Sequence, residues 1–248
     1  VGVGEGLVII GTHSGELIVV DADSGATKWS KELSSVMLSA PLVQDDILIV
    51  RTGDGKVYGL SAENGSQLWV YDRGVPVLTL RGNSSPIIGG RELVFTGFDS
   101  GKVAAVGVKH GRLLWEANAA VPRGRSDLER LVDIDGQMLL IGRVLYVVTY
   151  QGRIVAIDAL EGEILWAKEM SSYAGIAADD RHIYVTDSDS NLWAVDRVSG
   201  DLLWKQDKLA YRRLTAPVAV GEHVLVGDFE GYVHIMHRLD GELVGRKK

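Results

Sequence analysis

Apolar and polar positions along this chain alternate in short runs, broken every few residues by turns rich in glycine and aspartate. Leu17, Val19 and Asp21 recur with the period of two that marks a half-buried strand. The longest apolar runs, Met138 to Ile141 and Val144 to Val148, are strand-sized, and no stretch keeps a helical period. The pattern also repeats. GELIVVDADSGATKW from Gly15 ends at Trp29, and GKVYGLSAENGSQLW from Gly55 ends at Trp69. Further copies run from Gly101 to Trp115, from Gly152 to Trp166 and from Ser190 to Trp204, and a sixth, from Gly231, closes on Gly245. Five of the six tryptophans therefore share one repeat position. A second glycine (Gly25, Gly65, Gly111, Gly162, Gly200, Gly241) falls where a tight hairpin needs positive φ.

Two more strand-like runs precede each copy, for example APLVQ from Ala40 with DILIV from Asp46, and APVAV from Ala216 with HVLVG from His223. Pro41, Pro86 and Pro217 stand at the head of the first run, where a missing N–H is tolerated. Four strands in about 40 residues, with no helix, predict the blades of an all-β propeller, built of four-stranded antiparallel sheets. A parallel β-helix or stacked sandwiches are the alternatives, and the hairpin turns weigh against both. The chain is expected to be a single propeller domain over 1–248, with repeats at 1–33, 34–73, 74–119, 120–170, 171–208 and 209–248. Because one blade cannot bury both of its faces, Trp29, Trp69, Trp115, Trp166 and Trp204 are expected to be structural. Each would sit near the end of an outer strand and pack across to the next blade.

Composition narrows the function. The 248 residues are 46% apolar and 24% charged, as in a globular protein, and the formal charge of −7 argues against a broad nucleic-acid surface. No run approaches the roughly 20 residues of a membrane-spanning helix. No signal peptide stands at Val1. The absence of cysteine excludes disulfides, thiolate metal sites and cysteine nucleophiles.

Departures from the repeat point to a binding site. The connection from each tryptophan to the next first strand is short, except at Trp69 to Pro86 and, longest, Trp115 to Met138. In a meandering blade this connection always leaves on the same face. Two long loops from consecutive blades are therefore neighbours, where binding loops are expected. The first carries Leu78, Leu80 and Arg81, and the second Asp127, Glu129, Asp133 and Asp135. An arginine held by carboxylates, beside two leucines, is the chemistry of a small protein-docking patch. The alternative is that the leucines tuck under the loop and the charges are merely solvated.

At these loops the chain resembles the BamB family of outer-membrane lipoproteins, which serve the β-barrel assembly (Bam) machinery. LTLRGNSSP at Leu78 is similar to its LxLRG loop, ERLVDIDG at Glu129 to its ERLxDxD segment, and LTAPV with VGDFEGYVH, between Leu214 and His234, to its late-blade signature. The resemblance implies a non-enzymatic scaffold that binds the periplasmic (POTRA) domains of BamA, with unfolded outer-membrane proteins as further candidate partners. It implies partner contacts at Leu78, Leu80, Arg81, Asp133 and Asp135, no cofactor, and a place at the periplasmic face of the Gram-negative outer membrane. It also implies eight blades and a lipid-modified cysteine after a signal peptide. Six repeats and no cysteine are then expected of a chain lacking about one blade at each end, with membrane attachment only through an anchor absent from it.

Two other classes compete. Propeller dehydrogenases share the glycine-to-tryptophan repeat and use a quinone and calcium. The acidic turns at Asp54, Asp99, Asp187, Asp189 and Glu230 offer oxygen ligands, but such residues are common in hairpin turns. The six histidines form no ligand-spaced cluster, and His234 and His237 point to opposite faces of one strand. A small-ligand propeller would use its central channel, where the expected lining (Ala40, Ser84, Ser85, Ala174, Ala216) is small and chemically plain.

Overall fold

A computed structural model describes residues 1–74, 84–90, 92–121 and 132–248. The described residues contain no helix and form six four-stranded antiparallel sheets, each a simple meander. They divide into two compact units, Val1–Asn118 and Ala119–Lys248.

The first unit holds sheets 1 to 3. Sheet 1 is β1 (Gly2–Gly4), β2 (Leu7–Gly11), β3 (Glu16–Asp21) and β4 (Thr27–Glu32). Sheet 2 is β5 (Leu42–Gln44), β6 (Ile47–Arg51), β7 (Lys56–Ser61) and β8 (Gln67–Asp72). Sheet 3 is β9 (Ile87–Gly89), β10 (Leu93–Gly97), β11 (Lys102–Gly107) and β12 (Leu113–Asn118). The second unit holds sheets 4 to 6. Sheet 4 is β13 (Leu139–Ile141), β14 (Val144–Val148), β15 (Arg153–Asp158) and β16 (Ile164–Glu169). Sheet 5 is β17 (Ile176–Ala178), β18 (His182–Thr186), β19 (Leu192–Asp196) and β20 (Leu202–Gln206). Sheet 6 is β21 (Val218–Val220), β22 (His223–Gly227), β23 (Val233–His237) and β24 (Leu243–Lys247). Pro41, Pro86 and Pro217 each stand one residue before a first strand.

The tryptophans occupy the third residue of the fourth strand, not its end, and each strand continues three positions or two beyond. There Trp69 faces Gly59, and Trp115, Trp166 and Trp204 face Ala105, Ala156 and Ala194. The register slips by one residue just before each tryptophan, leaving Leu68, Leu114, Leu165 or Leu203 as the extra residue of a β-bulge that turns the strand. The facing residue is small because the indole lies across it: a Cβ on Gly59 would come within 2.1 Å of the Trp69 ring. In sheet 6 the sizes are exchanged, with Ile235 facing Gly245.

Four of these indoles also reach the next sheet of their unit. Trp29 and Trp69 donate Nε1–H to the carbonyls of Ala62 (2.9 Å) and Val108 (2.7 Å). Trp166 and Trp204 do the same to Arg197 (3.1 Å) and Arg238 (2.9 Å). The turn glycine beyond lies flat on the ring. At Gly241 (φ +72°) a Cβ would approach Trp204 to 2.5 Å, so both the backbone conformation and the contact demand glycine.

Apolar clusters fill the space between adjacent sheets. One joins Ile9, Leu17 and Val19 to Leu48 and Leu60, and another joins Ile49 and Val57 to Val94 and Val106. In the second unit, Tyr146 and Ile154 meet Ile183 and Val185, and Tyr184 and Leu192 meet Val224 and Met236. The half-buried alternation read from the sequence holds for β3 and β23. Strands β7, β11 and β15 are buried at four consecutive positions, and in β7 this is because sheet 2 packs on sheet 1 through one face and on sheet 3 through the other.

Candidate functional site

In a four-strand meander, the turn from second to third strand and the connection leaving the fourth strand emerge at the same end. The two long connections leave that end from β8 and β12. Their roots are tied together. Glu116 on β12 accepts a hydrogen bond from the Tyr71 hydroxyl (2.8 Å) and pairs with Arg73 Nε (2.8 Å), while Lys102 Nζ lies 3.8 Å away. Burial and the neighbouring Glu116 carboxylate push the Tyr71 phenol well above its ordinary pKa, so it stays a donor.

The far end of the first connection is seated on a buried ion pair. Arg51, the last residue of β6, sends Nη2 to Asp99 Oδ1 in the β10–β11 turn (2.9 Å), with side chains only 5% and 3% exposed. Its Nη1 points at the carbonyl of the fully buried Ser84 at 3.5 Å, and its guanidinium stands 6.0 Å from the Phe98 ring centre. Sequence reasoning missed this pair. The available signal was the arginine closing the apolar run ILIVR, where β2, β10 and β22 close on glycine.

Leu78, Leu80 and Arg81 lie outside the described residues. In the second connection Asp127 and Glu129 also lie outside the described residues, whereas Asp133 and Asp135 are described and differ. Asp133 is buried, 1% exposed, and its backbone forms an isolated bridge with Tyr150, whose N–H donates to the Asp133 carbonyl (2.8 Å). Ile134 is fully buried, and Asp135 is partly exposed. Gly136 then passes so close to Gly175 that a Cβ would lie 2.6 Å from its Cα. The segment is thus threaded tightly into the second unit, with Asp135 the more exposed of these two aspartates. At its start, Ala119 is buried and its carbonyl accepts Arg153 Nε–H (2.8 Å).

Four of the five acidic turn residues, Asp54, Asp99, Asp187 and Glu230, are engaged in local structure. Asp54 accepts Thr52 Oγ1–H (2.6 Å) and pairs with Lys56. Asp187 accepts from Asn191 Nδ2 (2.8 Å) and Trp193 Nε1 (2.7 Å). Asp228 is fully enclosed, and Oδ2 meets Arg212 Nε (2.7 Å) and His234 Nε2 (2.8 Å), while Glu230 pairs with Arg212. Burial raises the Asp228 pKa, but hydrogen bonds from His234, the Tyr232 N–H and Arg212 outweigh it, holding the carboxyl well below its ordinary range. No group of three or more metal-ligating side chains converges among the described residues.

Comparison with known proteins places this geometry. A family model described as outer membrane protein assembly factor BamB matches residues 1–206. The chain is 42% identical over 238 residues to the outer membrane protein assembly factor BamB of Bordetella pertussis, covering 96% of this chain and 61% of that protein. It is 47% identical over 174 residues to that of Pseudomonas aeruginosa, covering 70% and 46%. The crystal structure of BamB from Moraxella catarrhalis superposes with a TM-score of 0.95 at 31% identity, over all of this chain and 75% of that one. The fold is therefore a β-propeller built of these sheets. A quinohemoprotein alcohol dehydrogenase from Pseudomonas putida shares the fold (TM-score 0.76) at 15% identity, over 99% of this chain and 58% of that one. The chain spans about three-fifths or less of the length of these curated relatives.

Proposed function

The chain belongs to the BamB family of outer membrane protein assembly factors, and on that premise we propose that it is a non-enzymatic scaffold which binds the periplasmic POTRA domains of BamA through its two long connections. It would act at the periplasmic face of the outer membrane, held there in the full-length protein by a lipid anchor. The contact residues are Leu78, Leu80, Arg81 and Asp135, with Asp133 acting from beneath as a buried positioning residue.

One observation carries this reading: Glu116 ties the root of the second long connection to Tyr71 and Arg73 at the root of the first. Two loops that leave from one point can present one patch, whereas two independent loops would lose entropy to converge. A central arginine with flanking leucines supplies the few residues that dominate such an interface. The dehydrogenase reading draws no such support, since four of the five turn acids it would use, Asp54, Asp99, Asp187 and Glu230, are already bound to Thr52, Lys56, Arg51, Asn191, Trp193 and Arg212.

Capture of purified POTRA domains, measured by calorimetry, tests the assignment. Arg81→Ala is expected to weaken binding by about 30-fold or more, the effect of losing an interface hot spot, with an unchanged circular dichroism spectrum. Binding by Arg81→Ala and Asp135→Ala at wild-type strength would overturn the site.

A further inference from the structure

The turn from third to fourth strand is capped by an aspartate in sheets 1, 4 and 5. Asp21 Oδ1 accepts the Ser24 N–H (2.9 Å). Asp158 Oδ1 accepts those of Leu160 (2.9 Å) and Glu161 (3.0 Å), and Asp196 Oδ1 those of Val198 and Ser199 (both 2.9 Å). Sheets 2 and 6 place the side chains of Ser61 and His237 at this position, and sheet 3 has Gly107. The backbone around Gly107 is the same as in the sister turns. Its N–H donates to Arg112 O and its carbonyl accepts from Gly111 N–H, each at 2.9 Å, as Asp158 does with Glu163 and Gly162 at 2.8 Å.

Nothing in the fold requires glycine there. Gly107 is not among the positive-φ residues, and a Cβ on it would meet no atom nearer than 3.9 Å. What its absence of a side chain does is leave the N–H groups of Lys109 and His110 without an acceptor among the described residues. It also opens a cleft of about 440 Å³. Leu93, Leu113 and Leu114 form its apolar wall, the last two 46% and 53% exposed. Lys109, His110 and Arg112 stand around it, against one acid, Glu92.

We propose that this cleft binds a small organic carboxylate with an apolar body. One ligand oxygen takes the place of the missing aspartate, accepting the Lys109 and His110 N–H groups, and the Lys109 and Arg112 cations supply charge-assisted bonds. The apolar body lies on the three leucines. The sister turns show that this pair of N–H groups receives a single carboxylate oxygen, and Glu92 opposes a multiply charged anion, which together favour a carboxylate over a phosphate. The volume is within the roughly 300–1,000 Å³ usual for small-molecule sites.

Titration of the full chain with octanoate, followed by amide NMR shifts and calorimetry, tests the proposal, with 1-octanol and acetate as probes lacking the charge or the tail. Octanoate is expected to give saturable shifts at the Lys109 and His110 amides, and each control to bind at least about tenfold more weakly. Gly107→Asp, which supplies a tethered carboxylate, is expected to weaken octanoate at least about tenfold while its unfolding midpoint holds or rises. Gly107→Ala is expected to bind within about threefold of wild type. The proposal fails if octanoate gives no saturable shift, if octanol binds as well, or if Gly107→Asp binds undiminished. Should Gly107→Asp not fold, a Lys109→Gln/Arg112→Gln variant binding octanoate at full strength would sink it equally.

Discussion

Two arginines neutralise a turn carboxylate at the same end of their sheets, one in each unit, and they do so differently. In the first unit Arg51 belongs to a strand of sheet 2 and crosses to Asp99 of sheet 3, both nearly inaccessible to solvent. In the second unit Arg212 belongs to the short connection between sheets 5 and 6 and is 28% exposed. It reaches Asp228, whose carboxylate also holds His234 and the N–H groups of Glu230 and Tyr232. The short connection thus spends its own arginine on holding itself down, and Phe229 N–H adds a bond to the Arg212 carbonyl (3.1 Å). Beneath the long connection the sheet provides the arginine, with Ser84 seated on it. An arginine in a loop is therefore not by itself a binding residue. A loop is free to bind when the body beneath it supplies the anchor.

The largest expected effect comes from breaking the first pair. Arg51→Ala strands a buried carboxylate and should cost about 3–5 kcal/mol in urea unfolding. Replacing both partners by apolar residues, Arg51→Met with Asp99→Leu, should recover most of that loss, because desolvation then no longer opposes the pair. Arg212→Ala should cost clearly less, since Asp228 keeps its imidazole and backbone donors. Equal losses for Arg51→Ala and Arg212→Ala would break the comparison.

The smallest effect concerns acid. The folded-state pKa of Asp228 lies well below the ordinary carboxylate range, so its contribution is complete above that range and is lost as the pH falls through it toward the folded-state pKa. Asp228→Asn should therefore show a shallower fall in stability than wild type between about pH 4 and pH 2, as followed by urea midpoints. Parallel slopes would mean that the carboxylate is not held as its geometry implies.

Much of this molecule was legible in its sequence. The strand positions, the hairpin glycines and the prolines before first strands depend on a few adjacent residues, and periodicity and φ preference expose them directly. The tryptophan position was legible as a packing device, because a repeated large aromatic in a repeated strand must lie against the neighbouring repeat. Its details were not: the bulge depends on how two strands pair, the small residue opposite sits on the third strand, and the carbonyl that accepts each of four indoles lies in a turn of the next sheet, about 30 to 40 positions away.

The candidate site divides in the same way. Loop lengths and the LxLRG and DxD residues, read along the chain, determined where to look. Only the tertiary structure decided that Asp133 is buried while Asp135, two residues on, is partly exposed, and that Arg51 is an internal anchor. Burial and ion pairing are set by partners such as Asp99, 48 residues from Arg51, and no local pattern records which distant side chain will arrive beside a charge.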